Sequence, residues 1–288
     1  MPMSLPRRRD NASMKPLSPA NFQKIQQWLY QTAGILLTTQ KSTMVVSRLW
    51  RRVDELGLAD FDAYLAHVFS PEGKAERAEM LDRLTTNETY FFREPAHFAR
   101  LKNQIIPSCD ERPIKVWCAA SSTGEEPYSL AMVLSDQLGD DGWQLVASDI
   151  CGRALQQARS GLYRQDRLEL LPVDYLKRYC RRGTGAYQGM MMIDSALRAR
   201  VRFEQHNLLR PWPEAAAFDV IFLRNVLIYF DQPTRQRVMD NLCAALRPGG
   251  WLIIGHCESL TGIRLPLRQL APSIYRAPES TATRRVSA

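Results

Sequence analysis

The stretch that decides the fold is VWCAASSTGEEPY, from Val116 to Tyr128. Its apolar start predicts a β-strand, its small residues a tight loop, and Pro127 the first turn of a helix. A strand that leads through such a loop into a helix is where α/β proteins bind nucleotide-like ligands. Glu125 and Glu126 argue against a phosphate, because a phosphate cradle uses backbone N–H groups and a lysine. They favour a ligand with hydroxyls and a positive charge, and S-adenosylmethionine is such a ligand.

The composition is that of an ordinary globular protein. The chain has 288 residues, of which 45% are hydrophobic and 24% charged, so it can bury a sizeable core. No apolar run approaches the roughly 18 residues that a membrane span needs. The start, MPMSLPRRRD, has arginines but no apolar segment after them, which argues against a secretory signal. We therefore expect a cytoplasmic protein without membrane insertion.

The cysteines and histidines are scattered. The six cysteines include no Cys-x-x-Cys pair and none near a histidine at ligand spacing. This pattern predicts reduced thiols and no metal site. The four histidines are also spread along the sequence, and we expect them to serve as core or capping residues.

The positive charge is uneven. The formal net charge is +8, and residues 1–52 carry nine Lys and Arg against a single acidic residue, Asp10. Such a patch favours an acidic partner, which could be nucleic acid, an anionic membrane surface or an acidic protein. A solvated face explains the same charge, so charge alone leaves these alternatives open.

The first third of the chain has helical periodicity. Residues 1–17 are predicted to be a disordered basic arm, and residues 18–84 a small all-helical domain with helix starts at Ser18 and Asp60. One of its helices carries Arg48, Arg51 and Arg52 at positions i, i+3 and i+4. This spacing places three guanidinium groups on one side of the helix.

The rest of the chain alternates short apolar runs with helical segments, which predicts a mostly parallel sheet. The predicted strands are Lys115–Ala119, Gln144–Ser148, Asp219–Leu223 and Trp251–Gly255, with Ser273–Arg276 as a late edge strand. Residues 85–100 are predicted to be a linker, 101–278 a catalytic domain and 279–288 a tail. The interval of about 181–207 breaks the alternation and predicts an inserted antiparallel β-hairpin. The hairpin either has a function of its own or only covers the sheet edge.

Polar residues follow several of the predicted strands, where open α/β sheets bind ligands. They include Asp149, whose spacing suits a carboxylate that binds ribose hydroxyls. The others are Asn207, after a further predicted strand at Val201–Glu204, and the segment from Arg224 to Tyr229. Upstream, the stretch from Leu84 to Phe98 interleaves polar and aromatic residues, as a lid or linker would. Each feature alone also fits a helix cap, a turn or a surface residue. Their combination in this order is far more specific.

The combination resembles the CheR-type chemotaxis receptor methyltransferases. The likeness rests on TTNETYFFRE at Thr85–Glu94, the opening stretch extended to Ala131, ASDI at Ala147–Ile150, FDVIFLRNVLIYF at Phe218–Phe230 and RPGGWLIIGHCESL at Arg247–Leu260. It implies a class I S-adenosylmethionine-dependent methyltransferase fold of the α/β class, with a Rossmann-like, mostly parallel sheet. A small N-terminal all-helical domain and an inserted antiparallel β-subdomain complete the expected architecture.

The resemblance also implies a set of site residues. The cofactor site would be lined by Asn87, Thr89, Arg93, Glu125, Glu126, Asp149, Asn207, Leu208, Arg224 and Asn225. Arg93 and Tyr229 would lie nearest the transferred methyl group as catalytic residues. Which of the two glutamates in the opening stretch contacts the cofactor is left open.

The implied activity is methyl esterification of glutamate side chains on the cytoplasmic domain of chemoreceptors. A glutamate carboxylate is ionised at neutral pH, so it can attack the sulfonium methyl without a general base. We expect Arg48, Arg51 and Arg52 to contact the receptor's acidic methylation helices, and the 181–207 hairpin to dock a receptor C-terminal tail by strand addition. The expected enzyme is a monomer recruited to receptor arrays, with no nucleic acid partner.

Two other readings fit parts of the sequence. A nucleic-acid methyltransferase would suit the sequence pI of about 9.3, although no motif for a flipped base is present. A non-catalytic signalling module that binds S-adenosylmethionine is the second, and the intact Arg93, Asp149, Asn225 and Tyr229 argue against it.

Overall fold

The computed structural model describes residues 16–279, and they divide into two compact units. The helical unit comprises the described residues up to Thr32 together with Leu36–Thr85, and the α/β unit comprises Ala33–Ile35 and the described residues from Thr86 onward. The predicted basic arm and tail lie outside the described residues, apart from residues 16, 17 and 279. Within the described part, no helix combines the length and the apolar character needed to cross a membrane.

The helical unit has the four helices that its periodicity predicts. They are α1 (Pro19–Ala33), α2 (Ser42–Glu55), α3 (Phe61–Val68) and α4 (Lys74–Leu84). The predicted caps are confirmed: the Ser18 hydroxyl accepts the N–H of Asn21, and the Asp60 carboxylate accepts the N–H of Ala63. Each bond satisfies a backbone donor that the first turn of a helix leaves without a partner.

An ion pair joins α2 to α4. The Arg52 guanidinium contacts both carboxylate oxygens of Glu76, at 2.7 Å for the closest pair, and the Tyr64 hydroxyl donates to the same carboxylate. Burial raises the pKa of Glu76, but the hydrogen bonds from Arg52 and Tyr64 outweigh it and lower that pKa below its ordinary value. Arg48 donates to the carbonyl oxygens of Leu84 and Thr85, at the end of α4. Two of the three arginines predicted to contact a receptor therefore bind groups on another helix of their own unit.

Arg51 differs from its two neighbours. Its side chain is 83% exposed and pairs only with Glu55, one turn further along α2, among the ion pairs of the described residues. An exposed pair of this kind contributes little to stability. Arg51 is thus the arginine of the three whose charge is most available to another molecule.

The α/β unit is built on a seven-stranded sheet. Its strands are β1 (Ile114–Ala119), β2 (Trp143–Asp149), β6 (Val201–Gln205), β7 (Phe218–Leu223), β8 (Leu246–Ile254), β9 (Arg268–Ala271) and β10 (Ile274–Arg276). Their order is β6-β2-β1-β7-β8-β10-β9, in which the first five are parallel and β10 is antiparallel to both of its neighbours, β8 and β9. This pairing confirms the predicted parallel core of the sheet. Its interior strands are almost continuously apolar, as strands covered on both faces are.

Helices cover the sheet and lead between its strands. They are α5 (Pro95–Arg100), α6 (Glu125–Leu138), α7 (Gly152–Ser160), α8 (Val173–Tyr179), α9 (Ser195–Ala199) and α10 (Gln232–Ala245). Side chains from alternate positions of the strands enter two apolar clusters. One includes Val116 and Phe222, and the other includes Trp117 and Ile221. This alternation places the core on both faces of the sheet.

The expected antiparallel element is present, but its bounds differ from the prediction. It is a three-stranded sheet of β3 (Leu162–Arg164), β5 (Met190–Ile193) and β4 (Cys180–Arg182), in that order, so the prediction of a hairpin over about 181–207 is wrong in its bounds. Val201–Gln205 instead pairs with β2 at the edge of the large sheet. The sequence predicts a strand at Val201–Glu204, so the strand itself is confirmed and only the extent of the hairpin is wrong.

Two other boundaries differ from the prediction. Thr86 and the residues after it, including α5, belong to the α/β unit, so the expected linker at 85–100 is part of that unit. The late strand at Ile274–Arg276 lies between β8 and β9, and the edge is formed by β9. The short, polar β9 gave no strand signal in the sequence.

We predict that Arg52→Gln destabilises the helical unit, whereas Arg51→Gln does not. The first change leaves the nearly buried Glu76 carboxylate without its cation, at a cost of about 1–3 kcal/mol. Hydrogen–deuterium exchange of peptides from α2 and α4 measures the difference. Because the pKa of Glu76 is lowered by folding, the stabilisation is present above the ordinary glutamate pKa and is lost as the pH falls through the folded value. Equal protection in both variants at neutral pH would contradict the prediction.

Candidate active site

The site is the edge of the sheet at which the parallel strands end. The register pairs Asp149 with Gln205, Ala119 with Leu223, and Leu223 with Ile254. The loops that follow β6, β2, β1, β7 and β8 therefore begin side by side. This is the arrangement that the strand-end polar residues of the sequence predict.

The first loop follows β1 and has an unusual backbone. Ala120, Ser122 and Gly124 all have positive φ, of 60°, 51° and 101°. A β-carbon on Gly124 would lie 2.6 Å from the Tyr163 hydroxyl and 2.8 Å from the Ala158 β-carbon. The need for glycine at this position therefore comes from neighbouring protein atoms and requires no ligand.

Asp149 joins the first loop to the second. One of its carboxylate oxygens accepts the N–H of Ser122 and the other accepts the N–H of Cys151, both at 2.8 Å. The Asn87 amide contacts the Cys151 sulfur at 3.3 Å, and the N–H of His206 donates to the Asp149 carbonyl. Asn87, Asp149 and the start of the 206–208 loop thus lie together, as predicted for one wall of the site.

Arg224 is the centre of the second wall. Its side chain is 0% exposed, and its guanidinium contacts Glu126 at 2.5 Å and Glu94 at 3.0 Å, and donates to the Arg93 carbonyl oxygen. Burial alone would lower the pKa of Arg224, but the two carboxylates outweigh burial and raise it. For Glu94, burial raises the pKa and Arg224 lowers it further than burial raises it. Arg224 and Glu94 are therefore both ionised at neutral pH.

The adjacent glutamates of the first loop have different surroundings. Glu126 pairs with Arg224 and lies 3.4 Å from the Cys118 sulfur. Glu125 accepts a hydrogen bond from the Thr123 hydroxyl at 2.7 Å, and burial raises its pKa. The structure therefore gives Glu126 a cation within the protein, while Glu125 has only a neutral hydroxyl as its side-chain hydrogen-bond partner among the described residues.

Glu258 is a residue that the sequence reasoning missed. One of its oxygens accepts the N–H groups of Asn225 and Gly255, and the other accepts those of Val226 and Leu227, at 2.6–2.8 Å. The side chain is buried, and burial raises its pKa while the four N–H groups oppose that rise. It holds the loop after β7 in place, including Asn225, which has a φ of 59°.

Glu94 was missed as well. It has a left-handed backbone, with φ at 57°, and immediately precedes α5. The Glu94 carboxylate oxygen that does not pair with Arg224 lies 3.4 Å from the Asn225 side-chain amide nitrogen. Both missed residues lie inside motifs that the sequence analysis singled out. Glu94 directly follows Arg93, and Glu258 lies three positions after Gly255, at the end of a predicted strand.

The remaining predicted residues are placed as follows. The Arg93 guanidinium donates to the Glu88 carbonyl and lies 5.5 Å from the Tyr90 ring centre, and Thr89 is buried in the same segment. Asn207 accepts the N–H of Leu209, and the Leu208 carbonyl accepts the Asn241 amide. Tyr229 ends the short 3-10 turn after Asn225 and is half-buried. No contact between Arg93 and Tyr229 is recorded among the described residues.

The residues present fit S-adenosylmethionine. Glu94, Glu125, Glu126 and Asp149 outnumber the guanidinium groups of Arg93 and Arg224, so the edge is acidic, as a sulfonium and an ammonium require. The buried hydroxyls of Ser121 and Ser122 have no hydrogen-bond partner within the described residues, and such groups are rarely left unsatisfied unless a ligand or water completes them.

A mostly parallel sheet with this donor set at its carboxyl edge defines the class, which is that of the S-adenosylmethionine-dependent methyltransferases. The family models identify it more closely. Residues 87–274 match the CheR methyltransferase SAM binding domain, and residues 20–85 match the CheR methyltransferase all-alpha domain. The chain belongs to the CheR methyltransferase family, which confirms the resemblance drawn from the motifs.

Curated relatives agree with the family models over nearly the whole chain. The chain is 44% identical to a chemotaxis protein methyltransferase of Klebsiella aerogenes, over 92% of this chain and 91% of the relative. The identity with the chemotaxis protein methyltransferase of Escherichia coli is 42%, over 90% and 91%. With chemotaxis protein methyltransferase 2 of Pseudomonas aeruginosa it is 40%, over 88% and 92%.

We predict that Glu258→Gln weakens binding of S-adenosylmethionine at least about tenfold, or about 1.4 kcal/mol. Glutamine replaces one accepting oxygen by an NH2 group, so two of the four backbone donors face another donor and the loop carrying Asn225 loosens. Calorimetric titration of the cofactor measures the effect. Glu214→Gln, an exposed change in the same unit, is the control. An unchanged affinity in a folded Glu258→Gln protein would contradict the prediction.

Proposed function

We propose that this protein transfers a methyl group from S-adenosylmethionine to glutamate side chains of chemoreceptor cytoplasmic domains, giving methyl esters for sensory adaptation. The observation that carries the proposal is the Arg224 cluster, which consists of Arg224, Glu94, Glu126 and the Arg93 carbonyl oxygen. This cluster joins the segment before α5, the first loop and the end of β7 at one edge of the sheet. The names of the curated relatives supply the link to chemotaxis.

The chemistry suits a site without a general base. Bound S-adenosylmethionine supplies a methyl group activated by a sulfonium. A glutamate substrate is already ionised at neutral pH, since its ordinary pKa is about 4.3. The chain's residues then have to orient the carboxylate and exclude water from it. Such positioning can contribute roughly 7–11 kcal/mol in favourable cases.

Arg93 and Tyr229 are the proposed catalytic residues. The main chain of Arg93 is fixed through the Arg224 guanidinium, while its own guanidinium lies beside Tyr90 and is only half-buried. A fork of donors in that position suits a carboxylate. Tyr229 follows the loop that Glu258 holds, and its hydroxyl would fix the acceptor side of the substrate.

We predict that Arg93→Ala and Tyr229→Phe lower methyl transfer by about two orders of magnitude, because each removes a positioning contact of the reacting groups. The measurements are methyl transfer to receptor-containing membranes and cofactor affinity by titration. Arg159→Ala serves as a control for a lost arginine, since that side chain is exposed on α7. Normal turnover in both variants would remove Arg93 and Tyr229 from the mechanism.

The receptor contacts extend beyond the site. Arg51 is the best candidate for contacting an acidic methylation helix, because its side chain is exposed and pairs only within its own helix, whereas Arg48 and Arg52 link α2 to α4. The small sheet of β3, β5 and β4, in place of the expected 181–207 hairpin, offers strand edges for a receptor tail. We propose that the enzyme works in the cytoplasm as a monomer, at receptor arrays.

We predict that methyl label transferred to receptor membranes is released by mild alkali, as a carboxyl ester is. The assay uses the full chain, labelled S-adenosylmethionine and membranes with and without nuclease treatment. Label that resists alkali would refute an ester. Loss of incorporation after nuclease would favour the nucleic-acid alternative, and tight cofactor binding with no incorporation would favour a non-catalytic module.

A further inference from the structure

A cluster of two histidines and a carboxylate lies beside the Arg224 cluster. Glu94, His97 and His256 each offer one ligand atom, and these atoms all lie within 4.8 Å of one another. The Nδ1 atoms of His97 and His256 lie 3.3 Å and 3.8 Å from the same Glu94 oxygen, and the two rings are 4.5 Å apart between centres. No other set of this kind is found within residues 16–279.

His97 is the unusual member of the cluster. It is 2% exposed, yet neither ring nitrogen has a hydrogen-bond partner among the described residues, because the short approach to Glu94 is not aligned as a hydrogen bond. A buried imidazole with no partner is costly to leave unsatisfied, and its ring nitrogens are common ligands of metal ions.

The surroundings suit a cation with access from solvent. Among the groups of the Arg224 cluster, the two carboxylates of Glu94 and Glu126 outnumber the single guanidinium. His97 is buried, Glu94 is largely buried and the side chain of His256 is 48% exposed. An ion could therefore enter from the His256 side and keep a coordination position open to water.

We propose that Glu94, His97 and His256 form a binding site for a divalent transition-metal ion of the zinc type. Two imidazole nitrogens and one carboxylate oxygen are the ligands that such ions prefer, whereas Mg²⁺ and Ca²⁺ prefer oxygen alone. The expectation of a protein without a metal site came from the scattered cysteines, none of which lies near a histidine at ligand spacing. The fold brings two of them together from α5 and from the loop after β8.

The site has a consequence for the methyl-transfer region. The Glu94 oxygen that would bind the ion is also the one that pairs with Arg224. An ion at the site and Arg224 would share this carboxylate. A group that hydrogen-bonds to a metal ligand orients that ligand, so Arg224 would influence how Glu94 binds the ion. The inference concerns metal binding itself, so it can fail or succeed independently of the proposed methyl transfer.

The test is a titration of the untagged full chain, treated with a chelator, with Zn²⁺ and with Co²⁺ as an optical probe. We expect one ion per chain and at least about tenfold weaker binding in His256→Ala. The His256 side chain is about half exposed, so its removal should leave the protein folded. His67→Ala, at an exposed position in the helical unit, should bind as the parent does. So should Cys257→Ser, which removes the exposed thiol next to His256.

Histidine ring NMR gives a second, residue-level readout without substitution. The chain has four histidines, and Zn²⁺ should shift the ring signals of His97 and His256 while leaving those of His67 and His206 unchanged. Absence of stoichiometric binding would overturn the proposal. So would binding that survives in His256→Ala but is lost in Cys257→Ser.

Discussion

The buried charge of Arg224 is the constraint on which the site depends. A guanidinium removed from water costs several kcal/mol unless it is paired and hydrogen-bonded. Here Glu126, Glu94 and the Arg93 carbonyl oxygen meet that requirement, and they come from three separate segments of the chain. Satisfying one side chain therefore fixes the first loop, the segment before α5 and the end of β7 relative to one another.

The loop after β7 is likewise held by a buried charge, but here the charge is a carboxylate and its partners are backbone N–H donors. Four backbone N–H groups converge on the Glu258 carboxylate, and Asn225 adopts a left-handed backbone to allow it. In the proposed transfer to a carboxylate that needs no general base, the protein would contribute alignment and exclusion of water, and both depend on such prearranged geometry. Rigid loops at the strand ends are thus the catalytic contribution that this fold is suited to make.

The fold was predictable where local pattern and burial agree. The interior strands are short apolar runs, and their polar ends place Asp149, Arg224 and Asn225 at the same edge of the sheet. The edge strand Val201–Gln205 was also predicted as a strand leading into the site, and the error was only to extend the hairpin interval across it. Glu94 and Glu258 were missed because they act through groups distant along the chain. The pairing of His97 with His256 escaped notice for the same reason.

The two glutamates of VWCAASSTGEEPY have separate roles that composition could not distinguish. Both carboxylates argue against a phosphate ligand, but Glu126 forms an ion pair with Arg224 inside the protein. Glu125 is buried beside a neutral hydroxyl, with a raised pKa, so a cationic ligand would stabilise its ionised form. The same distinction applies to the basic patch, where Arg52 and Arg48 stabilise their own unit and Arg51 is exposed. A count of charges therefore overstates a binding surface until the internal pairs are subtracted from it.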